Sequence, residues 1–176
     1  MSKFINPFSD FGFKKIFGSE VSKDLIISFL NGVLHEEVIV NITFRNVELL
    51  GMKQEQGKVV FDIFCENEKG EIFVVEMQKA RQKFFSDRIL YYASFAIQQQ
   101  TMIAREKTKK SKKKGDKKQW EYNINKVYIV CILNYVMDKS HPEKYRWDVV
   151  RMERELKIPF SETLNEVYLE MPKFVL

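Results

Sequence analysis

The chain has 176 residues, 45% apolar and 30% charged, with a formal net charge of +5. That length and composition suit one domain, residues 1–176, with a real core and a soluble globular character. No apolar run approaches the roughly 18 to 20 residues of a membrane helix, and residues 1–7 lack the layout of a signal peptide, so the expectation is a cytoplasmic protein without a membrane partner.

The first element expected is a short helix over residues 9–17, capped by Ser9 or Asp10 and stopped by Gly18. A second helix is expected from about Ser22 to Leu34. Its apolar residues Leu25, Ile26, Phe29, Leu30 and Val33 follow a core-facing stripe. Residues 38–50 are rich in β-branched side chains and read as a first strand, interrupted by Arg45, Asn46 and Glu48.

Two further runs, residues 58–66 and 71–78, read as a hairpin. A three-residue loop, Glu68-Lys69-Gly70, puts Gly70 where a positive φ is needed. That register pairs Asn67 with Glu71, Asp62 with Glu76 and Val60 with Gln78, whereas a two- or four-residue loop would separate Asp62 and Glu76 onto opposite faces. A strand alternates its faces, so Glu76 and Gln78 share one face. Asp62 and Glu76 would then oppose each other directly, which destabilises a sheet unless a cation stands between them.

A long helical pattern follows, from about Ala80 to Lys107, with Phe85, Ile89, Tyr92, Ala96 and Ile103 on one face and Arg81, Arg88 and residues 98–100 elsewhere. Residues 107–118 carry eight lysines and one aspartate, Lys109, Lys110, Lys112, Lys113, Lys114, Lys117 and Lys118 among them. The basicity of the chain belongs to this segment. It reads as a solvated loop, and such a cluster also attracts phosphate backbones without reading sequence. Residues 125–135 form a nearly continuous apolar run, the mark of a strand buried on both faces. The tail is expected to hold a polar helix over residues 145–157, then a strand-like alternation at Val167, Leu169 and Met171.

Cys65 and Cys131 fall inside predicted strands, far apart in sequence, and suit small buried apolar positions better than a disulfide. No CxxC occurs, and His35 and His141 are far apart, which argues against a structural zinc site. Three strands, a crossover helix and a buried strand imply an α/β fold with a mixed sheet flanked by helices.

An acid on one strand about a dozen residues before Glu-x-Gln on the next resembles the core of the PD-(D/E)xK nucleases. Helix-strand-strand-strand-helix-strand is also the core order of their restriction-endonuclease-like fold. Residues 10–18, DFGFKKIFG, resemble the N-terminal signature of the recombination-promoting nuclease (putative transposase) family. Residues 61–63, 75–78, 88–92 and 127–129 resemble its later blocks, in order along nearly the whole chain.

The resemblance implies a Mg²⁺-dependent DNA endonuclease, with Mn²⁺ able to substitute, linked to recombination or mobile elements. Asp62 and Glu76 would bind the ion, helped by the carbonyl of Met77. Gln78 stands where the superfamily usually has lysine, and a neutral amide can only orient water or a phosphate oxygen. Asp10 would add an acidic contact or simply cap its helix. Arg88 and Tyr92, four residues apart on one helix, would contact DNA phosphate or support the acids. A catalytically inactive DNA-binding module and a protein-interaction domain are the competing readings. Members of the family usually continue into a further helical region, so a truncated C-terminus and a homodimer are both left open.

Overall fold

The structure, a computed structural model, describes residues 5–35, 38–45, 48–50, 58–111 and 123–174. Two helices come first, α1 (Asp10–Phe17) and α2 (Lys23–Leu34), joined by a 3-10 turn. Ser9, not Asp10, caps α1: its Oγ accepts the Gly12 N–H at 3.0 Å. The glycine between Phe11 and Phe13 has a steric cause. A Cβ on Gly12 would sit 2.0 Å from the Asn6 carbonyl oxygen. Along α2 the buried residues are Ile26, Leu30 and Leu34, with Phe29 and Val33 packed beside them. Leu25, expected in that stripe, is exposed.

The strands are β1 (Ile42–Phe44), β2 (Glu48–Leu50), β3 (Lys58–Val60), β4 (Ile63–Asn67), β5 (Ile72–Gln78), β6 (Val127–Leu133), β7 (Arg146–Met152) and β8 (Pro159–Glu170). Between β5 and β6 runs the long helix α3 (Phe85–Ser111). Six strands form one sheet in the order β1-β4-β5-β6-β8-β7, and β2 pairs with β3 separately. The β5–β6 and β6–β8 pairs are parallel; the others in the sheet are antiparallel. This is the mixed sheet flanked by helices that the element order implied.

β5 and β6 are buried along their whole length, so the apolar run at residues 127–133 does lie inside the sheet. Alternation splits their side chains between two cores. Phe73, Val75 and Met77 face the core closed by α1 and α2. Ile72 and Val74 face the core closed by Phe85, Ile89, Ala93 and Ala96 of α3. Parity therefore assigns Glu76 and Gln78 to the α3 side. Both cysteines are buried and unpaired.

Four expectations need correction. The run 58–66 is not one strand. It breaks at Phe61 and Asp62, and β3 leaves the main sheet to pair with β2. Val60 consequently pairs with Glu48 and not with Gln78. The stretch 38–50 is likewise two short strands. Residues 145–157 hold a strand, not a helix: β7 is the outer strand of a hairpin with β8, and it satisfies its backbone by pairing. Helix α3 also runs on to Ser111, so the lysine-rich segment begins on a helix. Lysine favours helix, which makes that continuation unsurprising.

One buried ion pair fixes the end of β8. Glu170 is fully buried and accepts from Trp147 Nε1 at 2.7 Å, from the Met137 N–H at 2.9 Å and from Lys173 Nζ at 3.0 Å. Lys173 also donates to the carbonyls of Asp138 and His141. Removing one member of a buried pair strands the other charge. Lys173→Met is therefore expected to lose about 3–5 kcal/mol, measured by urea unfolding, whereas an exposed change such as Lys139→Met stays within about 0.5 kcal/mol.

Candidate active site

The β4–β5 hairpin has the register its loop foretold. Asn67 donates its N–H to Glu71 O at 3.0 Å, Gly70 has φ of 79°, and Ile63 pairs with Val75. Asn67 Oδ1 also accepts the Lys69 and Glu71 N–H groups, which stiffens the turn. Continued by two residues, the ladder would place Phe61 opposite Met77. It does not continue, because β4 starts only at Ile63.

Carboxylates replace the missing rungs. Asp62 Oδ2 accepts the Met77 N–H at 2.8 Å, and Glu76 Oε1 accepts the Asp62 N–H at 3.1 Å. The two acids thus exchange hydrogen bonds with each other's strand. They are not the plain face-to-face pair expected from an unbroken ladder. In a strand, the N–H and C=O of one residue point to the same side. Met77 therefore turns its carbonyl toward Asp62, while the next carbonyl, that of Gln78, accepts the Asn134 N–H on the β6 side at 2.9 Å.

Two cations flank the acids. Lys14 of α1 lies 3.6 Å from Asp62 Oδ1 and 2.7 Å from Asp10 Oδ1. Asp10 is exposed and meets the site through Lys14. On the other side, the Arg88 guanidinium of α3 lies 5.5 Å from the Tyr92 ring centroid and within electrostatic reach of Glu76. The Tyr92 ring also packs edge-on against Phe61, at 5.3 Å.

Burial dominates the electrostatics. It raises the Glu76 carboxyl to about 8, and the neighbouring Asp62 charge pushes the same way. The Asp62 amide, Arg88 and Lys14 pull it back only in part. Asp62 is also raised, first by burial, against the opposing pull of the Met77 amide and Lys14. Both acids sit where a charged form lacks solvation, which is what a cation supplies.

Gln78 is buried at the end of β5, and Lys79 beyond it is exposed. The structure thus brings Asp62, Glu76, Met77 and Gln78 together, with Arg88 beside them. Lys109 and Lys110 lie on the last turns of α3, remote in sequence from the acids. Lys112, Lys113, Lys114, Lys117 and Lys118 lie outside the described residues. Sequence reasoning missed Lys14, although its position four residues after Asp10 on a helix was a usable signal. It also missed Tyr135, just past the end of β6 and edge-on to Phe85. Among the described residues, no group of three or more His, Cys, Asp or Glu side chains is placed to hold a metal, and no helix is long and apolar enough to cross a membrane.

A carboxyl held protonated in the fold and ionised in the unfolded chain makes the folded state the better proton binder. For Glu76 this holds between 4.5 and about 8. Metal-free protein should therefore lose stability as pH rises through that window, by on the order of 4 kcal/mol at most from this group. Urea midpoints taken in chelator from pH 5 to pH 8 should fall steadily, and Glu76→Gln should flatten most of that slope.

No curated protein and no solved structure gives a significant match to this chain. The sequence profile of one family does match, over residues 7–176, and it is described as the PD-(D/E)XK nuclease family transposase. The matched span contains α1 with Asp10 and Lys14, the Asp62/Glu76 exchange, the head of α3 and the whole mixed sheet. The chain belongs to the PD-(D/E)XK nuclease family transposases, and its helix-flanked mixed sheet is a restriction-endonuclease-like fold.

Proposed function

We propose that this protein is a Mg²⁺-dependent DNA endonuclease acting at mobile elements, with Asp62, Glu76 and the Met77 carbonyl as the ion's protein ligands. The observation that carries this reading is the Asp62–Glu76 exchange: two acids, both raised by burial, held side by side by backbone amides. Two carboxylates and a carbonyl form an all-oxygen donor set, which suits a hard cation and leaves room for water and a phosphate. When bound, such an ion stabilises charge on phosphoryl oxygens and makes a water more acidic.

The residues of the chain do the rest. The Met77 and Asp62 amides fix the carboxylate positions, so little is left to order when the ion and DNA arrive. Lys14 offsets the charge of Asp62 and Asp10 from the α1 side. Gln78 shares the face of Glu76 and orients the water or a phosphate oxygen through its amide. In the hydrolysis, water oxygen bonds to phosphorus and one P–O ester bond breaks. The water gives up a proton and the departing oxygen takes one, leaving a phosphomonoester and an alcohol. The lysines of residues 107–118 hold the backbone of the DNA without reading its sequence.

The second reading is a DNA-binding module without catalysis, and Gln78 in place of lysine is what favours it. The two readings separate on one set of assays. Under the endonuclease reading, wild-type protein nicks or cuts DNA with Mg²⁺ or Mn²⁺. Asp62→Asn and Glu76→Gln each lower that rate by about 10³-fold or more while still binding DNA. Uncut DNA across linear, supercoiled and branched substrates, with wild type and Asp62→Asn behaving alike, would falsify it.

Salt dependence tests the lysine segment. Replacing Lys112, Lys113 and Lys114 with alanine is expected to reduce the slope of log K against log salt by up to about 3, since each phosphate contact contributes ~0.9. An unchanged slope in fluorescence-anisotropy titrations would remove the segment from the DNA interface.

A further inference from the structure

Arg88 has an unusual hydrogen-bond account. One of its terminal nitrogens, Nη1, donates to Gln82 Oε1. Its Nε and Nη2 are buried and have no partner among the described residues. A guanidinium with two buried, idle nitrogens is expensive, because each unmet donor keeps its desolvation penalty. Nε–H and Nη2–H also form one edge of the guanidinium plane, the edge that fits two oxygens of a phosphate side by side.

A second orphan stands close by. The Tyr135 hydroxyl is the other buried side-chain group without a partner among the described residues. Both lie against the Phe85 ring. The Arg88 Cζ is 5.6 Å from its ring centroid, and the Tyr135 ring meets it edge-on at 6.5 Å. The two groups are within electrostatic reach of each other. They come from different elements, Arg88 from the first turn of α3 and Tyr135 from just beyond β6. Tyr135 follows Asn134, which is joined to Gln78 at the ends of β5 and β6, and Arg88 is within electrostatic reach of Glu76 near that end. In open α/β sheets that end of the parallel strands is where ligands bind.

We propose that Arg88 and Tyr135 form an oxyanion cradle that grips non-bridging oxygens of the scissile phosphate and supplies the positive charge that Gln78 does not. This rests on the nuclease reading above and names a part of its machinery. Gln82 holds Nη1 and so fixes the guanidinium with its Nε and Nη2 edge on the buried side, which sets the fork before substrate arrives. Burial first, and a nearby thiol next, raise the Tyr135 phenol above its ordinary value, so it remains a donor at neutral pH. During water attack the charge on the non-bridging oxygens grows, and the three donors gain strength as it does. No proton leaves either side chain.

The test has two arms. In the first, inorganic phosphate is titrated into metal-free protein while the Arg88 Nε–H resonance is followed by ¹H–¹⁵N NMR, assigned by its loss in Arg88→Lys. A saturable shift is expected, with affinity about 10-fold weaker in Tyr135→Phe, the loss of one hydrogen bond to a charged partner. Absence of a saturable shift overturns the cradle, whether or not the protein cuts DNA. In the second arm, Tyr135→Phe and Arg88→Lys are assayed for Mg²⁺-dependent cleavage. The expected result is a fall in kcat of about 10- to 10³-fold with KM for DNA within about twofold. A wild-type kcat in Tyr135→Phe also overturns it. If wild-type protein cuts nothing, the nuclease reading falls while the phosphate titration still decides the cradle. Thermal melts of both variants, expected within a few degrees of wild type, separate lost chemistry from lost folding.

Discussion

The structure turns on one exchange of hydrogen bonds. Where β4 fails to continue, Asp62 takes the Met77 amide and Glu76 takes the Asp62 amide. Two backbone donors that would otherwise lose their ladder partners are satisfied by carboxylates. The break and the site are thus the same event. It lets Phe61 join the α3 core, where it is fully buried against Phe64 and Tyr92. It also leaves the carbonyl of Met77 on the same side as the Asp62 carboxylate. Hydrogen bonds to ionised acceptors are about twice as strong as neutral ones, so the exchange is tightest when both acids are charged.

That preference conflicts with burial. For Glu76, the loss of solvation and the repulsion of Asp62 outweigh the Asp62 amide and the two flanking cations, and the carboxyl rises to about 8. The fold therefore holds its acids in geometry that favours charge and in surroundings that oppose it. A divalent cation would resolve the conflict while both acids stay charged, whereas a proton resolves it by giving up the charge that strengthens the amide hydrogen bonds. The Glu170–Lys173 pair is a useful contrast. Glu170 is as buried as Glu76, yet it has its own lysine at 3.0 Å together with Trp147 and a backbone amide. One buried acid is fully partnered within the fold and the other is not.

What could be read from sequence follows from which signals are local. The Glu68-Lys69-Gly70 loop is local, so the hairpin register was legible, with Asp62 opposite Glu76 in the count. The capped first helix and the apolar run at residues 127–133 were legible for the same reason. The break at residues 61 and 62 was not. Val59, Val60, Phe61, Ile63 and Phe64 are all apolar, so no alternation reports when the chain leaves the sheet. β7 was hidden differently: most of its side chains are exposed, and only its pairing with β8, a non-local event, makes it a strand. The site was therefore visible as a pair of acids and invisible as a pair of acids on exchanged amides.

The charge balance explains why a glutamine suits position 78 here. Asp62 and Glu76 face Lys14 from α1 and Arg88 from α3, while Asp10 is tied to Lys14. The positive charge comes from the helices on either side of the sheet, not from β5 itself. A lysine at the end of β5 would add a third cation on the same buried face as Glu76. A neutral amide leaves the positive charge to Lys14 and Arg88. Under the metal reading proposed above, the buried Gln78 would direct a water or an oxygen without adding charge.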